Sequence, residues 1–363
     1  MLESIEWKEI IFMERVYNFS AGPSVMPLEV LERAQKELVD YNGMSVMEMS
    51  HRSAAFQEIF DEAKNKFRMA MNVPDTHEIL FLQGGATLQF AAVPMNLIEN
   101  GSADYAVTGN FSKRAAKEAE KYGKINVIYD GLSIPKQQQL KFSDDAKYFY
   151  YCANNTAYGT EWHYIPEAPC TLACDMSSDI LTREVDISKY GLIFAGAQKN
   201  MAPAGLTVVI IDKALAGKEI PYTPQIMSYK TMIDHDSMIN TPPCWCIYML
   251  SLTLDWISKQ GGIKAMDELK KIRSGLLYDY LDESKLFIPS ADRESRSFMN
   301  VTFSTGNAEL DKEFSQDAEK HGFVGLKGYK LVGGMRASIY NAMPVEGVEK
   351  LVSYMKEFEA KRV

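Results

Sequence analysis

The sequence predicts an α/β protein with a large domain, built on a mainly parallel seven-stranded sheet flanked by helices, and a smaller α+β C-terminal domain. Between residues 76 and 212, short apolar runs alternate with helix-like stretches, which is typical of βαβ units. After Pro242-Pro243 and Gly261-Gly262 the pattern changes to an α+β order. The length of 363 residues suits two domains.

The elements of the large domain follow in order. Its seven predicted strands are short runs rich in β-branched, aromatic and other apolar residues: Glu78–Leu82, Tyr105–Thr108, Ile125–Tyr129, Tyr148–Cys152, Leu172–Met176, Leu192–Ala195 and Thr207–Ile211. The last run is apolar at successive positions, which indicates a strand covered on both faces. Helices are predicted over Thr87–Ile98, after a Gly-Gly turn, and over Phe111–Tyr122, which contains no helix breaker.

The remaining elements belong to the domain junction and the small domain. Cys244–Ser258 is long and apolar, which predicts a core or interface helix. A charged helix over 266–284 is followed by strands near Phe298–Phe303 and Met335–Tyr340, a helix near Glu309–His321 and a terminal helix from Val345. We therefore expect an N-terminal extension and joining segment over 1–25, a large domain over 26–262 and a small domain over 263–363. Met13 is a candidate internal start, which would make residues 1–12 dispensable.

Composition and charge narrow the classes of partner. The chain has 39 Lys and Arg against 48 Asp and Glu, a formal charge of -9, and no block of basic residues, so we expect no nucleic-acid partner. Five cysteines scattered through a long chain indicate reduced thiols rather than a disulfide framework. No apolar run approaches the roughly 20 residues of a membrane span. We expect a cytoplasmic protein without membrane contact.

The segment around Lys199 is the most informative candidate site. Lys199 follows the predicted strand Leu192–Ala195 and precedes Pro203 and Gly205, which places it at the carboxyl edge of a parallel sheet, where ligands bind. Apolar neighbours partly desolvate such a lysine, and desolvation lowers the pKa of an ammonium group, as Schiff-base chemistry requires. An ordinary surface lysine at a strand end is the alternative, and this residue alone does not decide between them.

A carboxylate ends a second predicted strand, about one strand–connection–strand unit before Lys199. This residue, Asp175, and Lys199 could point into one crevice. Pyridoxal phosphate needs such a pair, because the lysine bonds the aldehyde and the acid keeps the pyridine nitrogen protonated. The alternative for Asp175 is a turn or a helix cap.

A third segment, Leu80–Thr87, predicts a strand, a Gly84-Gly85 turn and the start of a helix. Backbone N–H groups at such a helix start bind phosphate. The segment has neither the Walker spacing nor the dinucleotide-binding glycine spacing, and a simple tight turn remains open.

Together these segments resemble the phosphoserine aminotransferase family, which are pyridoxal-phosphate enzymes of fold type I and class V. The resemblance covers essentially everything after the N-terminal extension, and its stretches are YNFSAGP (17–23), 44–53, 84–97, 175–207, 240–243 and 332–343. It implies pyridoxal 5'-phosphate as cofactor and transfer of the amino group of L-glutamate to 3-phosphohydroxypyruvate, giving O-phospho-L-serine and 2-oxoglutarate in serine biosynthesis. It also implies a homodimer with residues of both chains in each site.

The resemblance implies a role for each matching residue. It makes Lys199 and Asp175 catalytic, and it gives the cofactor-binding set as Ala86, Thr87, Phe111, Thr156, Asp175, Gln198, Lys199, Asn240 and Thr241. Within that set, Asn240 and Thr241 would reach the neighbouring subunit's cofactor, and Phe111 stands where the family often has a stacked tryptophan. The implied substrate-binding set is His51, Arg52, Tyr329, Lys330 and Arg336, with Arg336 holding the α-carboxylate. No metal is implied.

One departure concerns the substrate phosphate. The family commonly has a His-Arg pair where this chain has Tyr329 and Lys330, and some members have an arginine in place of Thr87. Two alternatives therefore stay open: another class V aminotransferase acting on serine or alanine with glyoxylate, and a non-catalytic ligand-binding relative. Cysteine desulfurase chemistry is disfavoured, because Cys170 and Cys174 lie in or beside a predicted strand.

Overall fold

A computed structural model describes residues 15–363 of the chain. The predicted extension over residues 1–12 and the candidate start at Met13 lie outside the described residues. No helix in the described range is long and apolar enough to cross a membrane.

The strands of residues 15–363 are, in chain order, β1 (Tyr17–Asn18), β2 (His77–Leu82), β3 (Ser102–Val107), β4 (Lys124–Asp130), β5 (Ala146–Cys152), β6 (Asn154–Asn155), β7 (Thr160–Glu161), β8 (Thr171–Asp175), β9 (Leu192–Gly196), β10 (Thr207–Asp212), β11 (Ile288–Pro289), β12 (Asn300–Ser304), β13 (Phe323–Val324) and β14 (Met335–Ser338). The helices are α1 (Leu28–Glu37), α2 (Ala54–Met71), α3 (Gly85–Leu97), α4 (Asn110–Ala119), α5 (Tyr229–Asp234), α6 (Cys244–Lys259), α7 (Gly262–Glu283), α8 (Ala308–Lys320) and α9 (Val345–Ala360).

The central sheet confirms the predicted fold class. Its seven strands lie in the order β2-β10-β9-β8-β5-β3-β4. The pairs β9–β8, β8–β5, β5–β3 and β3–β4 are parallel, whereas β10 runs antiparallel to both β9 and β2. Every predicted strand is present, and because β3, β5, β8 and β9 are parallel, their carboxyl ends meet at one edge.

Strand β3 begins three residues earlier than predicted, in a polar stretch. Ser102 and Asp104 are buried, and Asn126 Nδ2 donates to Ser102 Oγ at 3.4 Å and to Asp104 Oδ1 at 3.0 Å. The backbone N–H of Ser143 donates to the other Asp104 oxygen at 2.7 Å. These hydrogen bonds compensate for the burial of the polar side chains. Because the start of β3 is polar, a search for apolar runs does not predict it.

Helices α1 and α2 lie in a stretch for which the sequence pattern predicts no element. Helix α2 buries Phe56, Phe60 and Phe67 on one face, and Ser53 Oγ at its start accepts a hydrogen bond from the Phe56 N–H at 3.2 Å. This cap and the helical spacing of the phenylalanines are a readable helix signal. The predicted helix over 266–284 begins earlier, at Gly262.

Apolar side chains cover both faces of the central sheet. Along β10, Val208 belongs to a core cluster with α2 and α6, and Val209 belongs to the cluster on the opposite face with α3. This arrangement agrees with the prediction of a strand covered on both sides. Helix α6 is buried along most of its length, as a core helix should be.

A third core cluster combines Phe19 with residues between 277 and 358. It packs α7, α8 and α9 around the sheet β11-β12-β14, and β1 pairs in parallel with β13 through Tyr17 and Phe323. The cluster supports a small domain that the N-terminal segment joins, although the predicted boundaries at residues 25 and 262 stay a prediction.

Candidate active site

Lys199 lies three residues beyond β9, at the sheet edge where the parallel strands end. Its Nζ donates a hydrogen bond to Thr156 Oγ1 at 2.7 Å, and it lies 5.9 Å from the centre of the Phe111 ring. Thr156 directly follows β6, and Phe111 is in the first turn of α4, which follows β3. Three separate connections at this edge therefore bring together three of the predicted cofactor-binding residues.

Ser24 in the N-terminal segment donates hydrogen bonds to the backbone carbonyl groups of both Gln198 and Lys199. Ser24 Oγ donates to the carbonyl oxygen of Lys199, and the Ser24 N–H donates to that of Gln198 at 3.0 Å. Gly22 has a φ of +137°, and a Cβ on it would lie 3.4 Å from Lys199 Cγ and 3.5 Å from Gln198 Cγ. Neither Ser24 nor Gly22 has a role predicted from the sequence, although the motif YNFSAGP, which contains Gly22, is a readable signal.

Asp175 is the last residue of β8 and is nearly fully buried. It pairs in register with Cys152 on β5 and with Phe194 on β9. Burial raises the pKa of its carboxyl, and the hydrogen bonds from Ser177 and the charge of Lys199 act in the opposite direction. The positive charge of Lys199 lowers the pKa of the Asp175 carboxyl, but burial has the larger effect and the net shift is upward.

The predicted phosphate-binding turn is the start of α3. Gly84 and Gly85 have φ values of +86° and +64°, a left-handed conformation that glycine adopts without strain. Ala86 and Thr87 follow in the first helical turn, whose N–H groups have no acceptor within the helix itself. The turn thus presents free backbone donors and the positive end of the helix dipole.

Asn240 and Thr241 are exposed and lie beside this turn. Gln83 Nε2 donates to the Thr241 carbonyl oxygen at 2.8 Å, which ties the 240–241 segment to the residue before Gly84. Gln198 is also predicted to hold the cofactor, and it is half-buried. Its side chain lies close to Gly196: a Cβ added to Gly196 would be 2.8 Å from Gln198 Oε1.

Arg336 lies in β14 opposite Thr302 of β12. Its side chain is buried, and within residues 15–363 its Nε has no hydrogen-bond partner and no carboxylate forms an ion pair with it. Burial lowers the pKa of its guanidinium group. A buried cation with unused donors in a fixed fork suits bidentate capture of a carboxylate.

The loop before Arg336 carries Tyr329 and Lys330. Tyr329 Oη accepts a hydrogen bond from Asn110 Nδ2 at 3.2 Å, which brings Tyr329 next to the helix that carries Phe111. Lys330 is exposed. The loop is closed by a hydrogen bond from the Gly328 N–H to the Gly334 carbonyl at 2.9 Å.

His51 and Arg52 lie in the turn before α2, and the structure gives them no contact with Lys199, Thr156 or Phe111 within the chain. Arg52 is exposed, and the buried Nε2 of His51 has no partner among the described residues. The predicted site residues whose side chains interact with Lys199 in the described structure are therefore Thr156, Phe111 and Asp175.

The cysteines do not form a nucleophilic site. All five thiols are free, and burial raises the pKa of Cys170 to about 11 and that of Cys174 well above its usual range. A protonated buried thiol is a poor nucleophile. Residues 15–363 contain no group of three His, Cys, Asp or Glu residues arranged to hold a metal.

Comparison with known proteins identifies an aminotransferase family. The sequence model of the class-V aminotransferases matches residues 16–351. The chain is 52% identical over 356 residues to the phosphoserine aminotransferase of Bacillus cereus, covering 96% of this chain and 99% of that protein. It is 48% identical over 355 residues to that of Geobacillus kaustophilus, covering 95% of this chain and 99% of the relative.

Solved structures agree with the sequence relatives. Phosphoserine aminotransferase from Bacillus circulans subsp. alkalophilus superposes with a TM-score of 0.94 at 42% identity, covering 96% of this chain and 100% of that one. The pyridoxal-phosphate-bound enzyme from Trichomonas vaginalis gives 0.91 at 39% identity, covering 94% and 100%. The chain therefore belongs to the class-V aminotransferase family, and within it to the phosphoserine aminotransferases.

Proposed function

We propose that the chain transfers the amino group of L-glutamate to 3-phosphohydroxypyruvate, giving O-phospho-L-serine and 2-oxoglutarate in serine biosynthesis. The observation that carries the proposal is the 52% identity to a phosphoserine aminotransferase over nearly the full length of both chains. Lys199, Thr156 and Asp175 at one sheet edge support it, because that edge provides the amine, hydroxyl and carboxylate that such chemistry needs.

The site fits pyridoxal 5'-phosphate as the cofactor. The Lys199 amine would bond its aldehyde, Thr156 would contact the ring oxygen, and Phe111 would stack on the ring. The N–H groups of Ala86 and Thr87, with Gln198, would hold the phosphate, and the unused donors at the start of α3 support this assignment. When bound, the cofactor accepts the electron pair released at the substrate's α-carbon and carries the amino group between the two half-reactions.

Two residues of the chain do the proton chemistry and the charge stabilisation. With the amino-acid substrate in the site, the Lys199 amine would take the proton from the substrate α-carbon and later return a proton. The buried Asp175 carboxylate would hold the proton on the pyridine nitrogen, because an ionised acceptor in a low dielectric stabilises a positive charge strongly.

Arg336 orients the substrate. Its buried guanidinium would take both oxygens of the α-carboxylate, which restricts rotation of the substrate about its α-carbon. The geometry then keeps the α-proton directed at Lys199. Glutamate and phosphoserine carry the same α-carboxylate, so one arginine serves both half-reactions.

The far anionic end of each substrate would contact His51, Arg52, Tyr329 and Lys330. Tyr329 accepts a hydrogen bond from Asn110, so its own hydroxyl proton is free to be donated to a phosphate oxygen. Lys330 and Arg52 are exposed and would supply positive charge at this end of the substrate, although the chain as a whole has a formal charge of -9.

We also propose that the enzyme is a cytoplasmic homodimer in which Asn240 and Thr241 reach the partner's cofactor phosphate. Their exposure supports this part of the proposal, since the same side chains would otherwise face solvent. Five free thiols fit a reducing compartment.

Mixing two inactive variants tests the shared site. If Lys199→Ala and Asn240→Asp subunits are reassociated, one of the two sites in each mixed dimer is intact, so about a quarter of wild-type activity should return. If each site were formed by a single chain, no activity would return on mixing.

A second candidate function has one observation in its favour. Tyr329 and Lys330 stand where the family commonly has a His-Arg pair. An imidazole and a planar guanidinium group are therefore missing from the part of the site that would bind the substrate phosphate. An aminotransferase acting on serine or alanine with glyoxylate would not need those groups. The presence of Lys199, Asp175 and Arg336 together argues against a non-catalytic ligand-binding relative, because binding alone would not need a lysine that bonds an aldehyde.

The decisive experiment compares purified wild-type enzyme with Lys199→Ala. The wild type, reconstituted with pyridoxal phosphate, should show the visible absorbance of the lysine-bound cofactor, and Lys199→Ala should lose both the band and the activity. Lys213→Ala is the control, because Lys213 is an exposed lysine that directly follows the antiparallel strand β10. A colourless wild type after reconstitution would contradict the cofactor assignment.

Substrate identity is tested separately by kcat/KM. Phosphoserine should exceed serine by at least about 100-fold, because charged hydrogen bonds to the phosphate each contribute about 1.5–3 kcal/mol. Equal values for the two substrates would favour the second candidate function.

A further inference from the structure

Asn200, the residue after Lys199, links the lysine to the predicted small domain. Both residues lie in the lysine loop, the connection over 197–206 between β9 and β10. The Asn200 side chain is buried, and its Oδ1 accepts the backbone N–H of Asn341 at 3.0 Å. Because Asn341 belongs to the small domain, this hydrogen bond crosses from one predicted domain to the other.

The bond to Asn341 has no equivalent elsewhere in the lysine loop. In the part of the chain that the structure describes, it is the only hydrogen bond between residues 197–206 and residues 263–363. The Asn200 Nδ2 makes a longer hydrogen bond, of 3.4 Å, to the carbonyl oxygen of Ser178 in the large domain. One side chain therefore connects the loop to both predicted domains.

The Asn341 end of this link is itself fixed. Asn341 is buried, and its Nδ2 donates to the Leu181 carbonyl oxygen at 2.8 Å. It lies three residues beyond the end of β14, the strand that carries Arg336. The segment that positions Arg336 therefore also contacts the residue next to Lys199.

Two further contacts hold Lys199. Ser24 donates to the carbonyl oxygens of Gln198 and Lys199, which fixes the main chain on the side of the N-terminal segment. The Lys199 amine donates to Thr156 Oγ1 at 2.7 Å, but this contact uses the nitrogen that would bond the cofactor and take the α-proton. The Ser24 and Asn200 contacts, by contrast, hold the lysine without occupying its nitrogen.

The chemistry proposed for the site needs two groups at a fixed separation. The amine of Lys199 comes from the lysine loop, whereas Arg336, which would hold the substrate α-carboxylate, comes from β14. Misplacement of a reacting group by about 1 Å can cost about 100-fold in rate. A direct hydrogen bond between the two segments limits such a displacement.

We propose that Asn200 is a positioning residue: by accepting the Asn341 N–H, its amide oxygen fixes the Lys199 amine relative to the substrate carboxylate held by Arg336. This inference rests on the proposed function, in which Lys199 takes the α-proton. An asparagine with a purely structural role would stabilise the fold without affecting proton transfer, so the two roles predict different kinetics.

The test replaces Asn200 with alanine and with leucine in the enzyme reconstituted with pyridoxal phosphate. Alanine removes the amide, and leucine removes its hydrogen bonds while filling most of its space. Asn96→Ala is the matched control, because Asn96 is also buried and its Oδ1 accepts a backbone N–H, that of Tyr229, at 2.9 Å. Its Nδ2 donates to two backbone carbonyl oxygens, each at 2.8 Å, and it lies in the last turn of α3.

Four quantities are measured for each variant. They are kcat and KM for glutamate, the kinetic isotope effect on kcat with glutamate deuterated at its α-carbon, and the thermal unfolding midpoint of the apoenzyme. The isotope effect reports how far transfer of the α-proton limits turnover. A general loss of stability lowers the unfolding midpoint but does not by itself change the isotope effect.

For Asn200→Ala and Asn200→Leu we expect kcat to fall about 10-fold to 100-fold, because the amine is no longer held at the distance that proton transfer needs. KM should change less than about threefold, since Arg336 and its contact with the carboxylate are untouched. The isotope effect should exceed that of the wild type, because proton transfer becomes the slower step. Asn96→Ala should lower the unfolding midpoint and leave kcat and the isotope effect at wild-type values.

Three results would overturn the proposal: a folded Asn200→Ala enzyme with wild-type kcat and isotope effect, the same kinetic changes in Asn96→Ala, or wild-type kcat in Asn200→Leu, which would assign the role to side-chain volume. If Asn200→Ala does not fold, Asn200→Leu takes its place with the same expectations. A wild type that fails to bind pyridoxal phosphate or to transfer the amino group would instead refute the proposed function, so the two failures are distinguishable.

Discussion

Replacing Arg336 with lysine should weaken capture of the substrate α-carboxylate while leaving the fold intact. Arg336 is 9% exposed, no carboxylate within residues 15–363 pairs with it, and its Nε is unused. A bound carboxylate would therefore be its counter-ion and would accept two parallel hydrogen bonds. Lysine keeps the charge but offers no planar fork, so at least one charged hydrogen bond is lost.

The loss of one such bond is worth about 1.5–3 kcal/mol. This corresponds to a fall of about 10-fold to 150-fold in kcat/KM for glutamate. Because the carboxylate contact exists before the chemical step as well as during it, most of the change should be in KM. Steady-state kinetics with glutamate and with phosphoserine measure it, and both substrates should be affected alike because both carry the α-carboxylate.

The control is the same substitution at Arg273 in α7. This arginine is 1% exposed, and its Nη1 donates to the backbone carbonyls of Asn341 at 3.0 Å and Met343 at 2.9 Å. Arg273→Lys should lower the free energy of unfolding and leave kcat/KM within about threefold of wild type. If Arg336→Lys behaves like Arg273→Lys, the reasoning about a carboxylate fork is refuted.

Three further predictions concern the loop before Arg336 and the buried charges. Gly328→Ala should lower the free energy of unfolding by about 1–3 kcal/mol in urea denaturation, because its Cβ would lie 2.0 Å from the Gly333 carbonyl oxygen; an unchanged midpoint would contradict this. Tyr329→Phe removes the hydroxyl that accepts from Asn110, so KM for phosphoserine should rise about threefold to tenfold more than KM for glutamate, whereas equal changes would exclude a phosphate contact. Burial raises the pKa of Asp179 to about 6, so the native state binds a proton that the unfolded chain has released between about pH 4 and 6. Wild-type stability should therefore fall by about 2–3 kcal/mol relative to Asp179→Asn as the pH rises through this interval, and parallel curves would refute the assignment.

The position of the site at one edge of the sheet could be derived from the sequence. Strands ending at Asp175 and just before Lys199 were readable as apolar runs, and parallel neighbours end at the same edge. The partner of Lys199 could not be derived in that way. Thr156 follows the short strand β6, and its contact with Lys199 depends on how that hairpin packs rather than on any periodicity.

The apolar pattern of the sequence also does not predict the direction of a strand. The run Thr207–Asp212 is apolar throughout, which indicates burial on both faces, but it does not distinguish a parallel strand from the antiparallel strand that β10 forms. Contacts between segments far apart in the chain could not be predicted from the sequence either. The hydrogen bond from Ser24 to Lys199 spans 175 residues, and no local pattern encodes a contact at that distance.

The segment from Tyr17 to Ser24 has a consequence for the order in which the protein is completed during synthesis. This part of the chain leaves the ribosome early, yet its partners are Lys199, the strand Phe323–Val324, and Tyr340, whose hydroxyl donates to the Ala21 carbonyl across 319 residues. Each of these contacts forms only after its later partner has been made, and the latest partners are Phe323, Val324 and Tyr340. The N-terminal segment that supports the lysine backbone is therefore fully anchored only when nearly the whole chain exists, so a truncated or stalled product that contains the entire central sheet would lack this anchoring and Arg336.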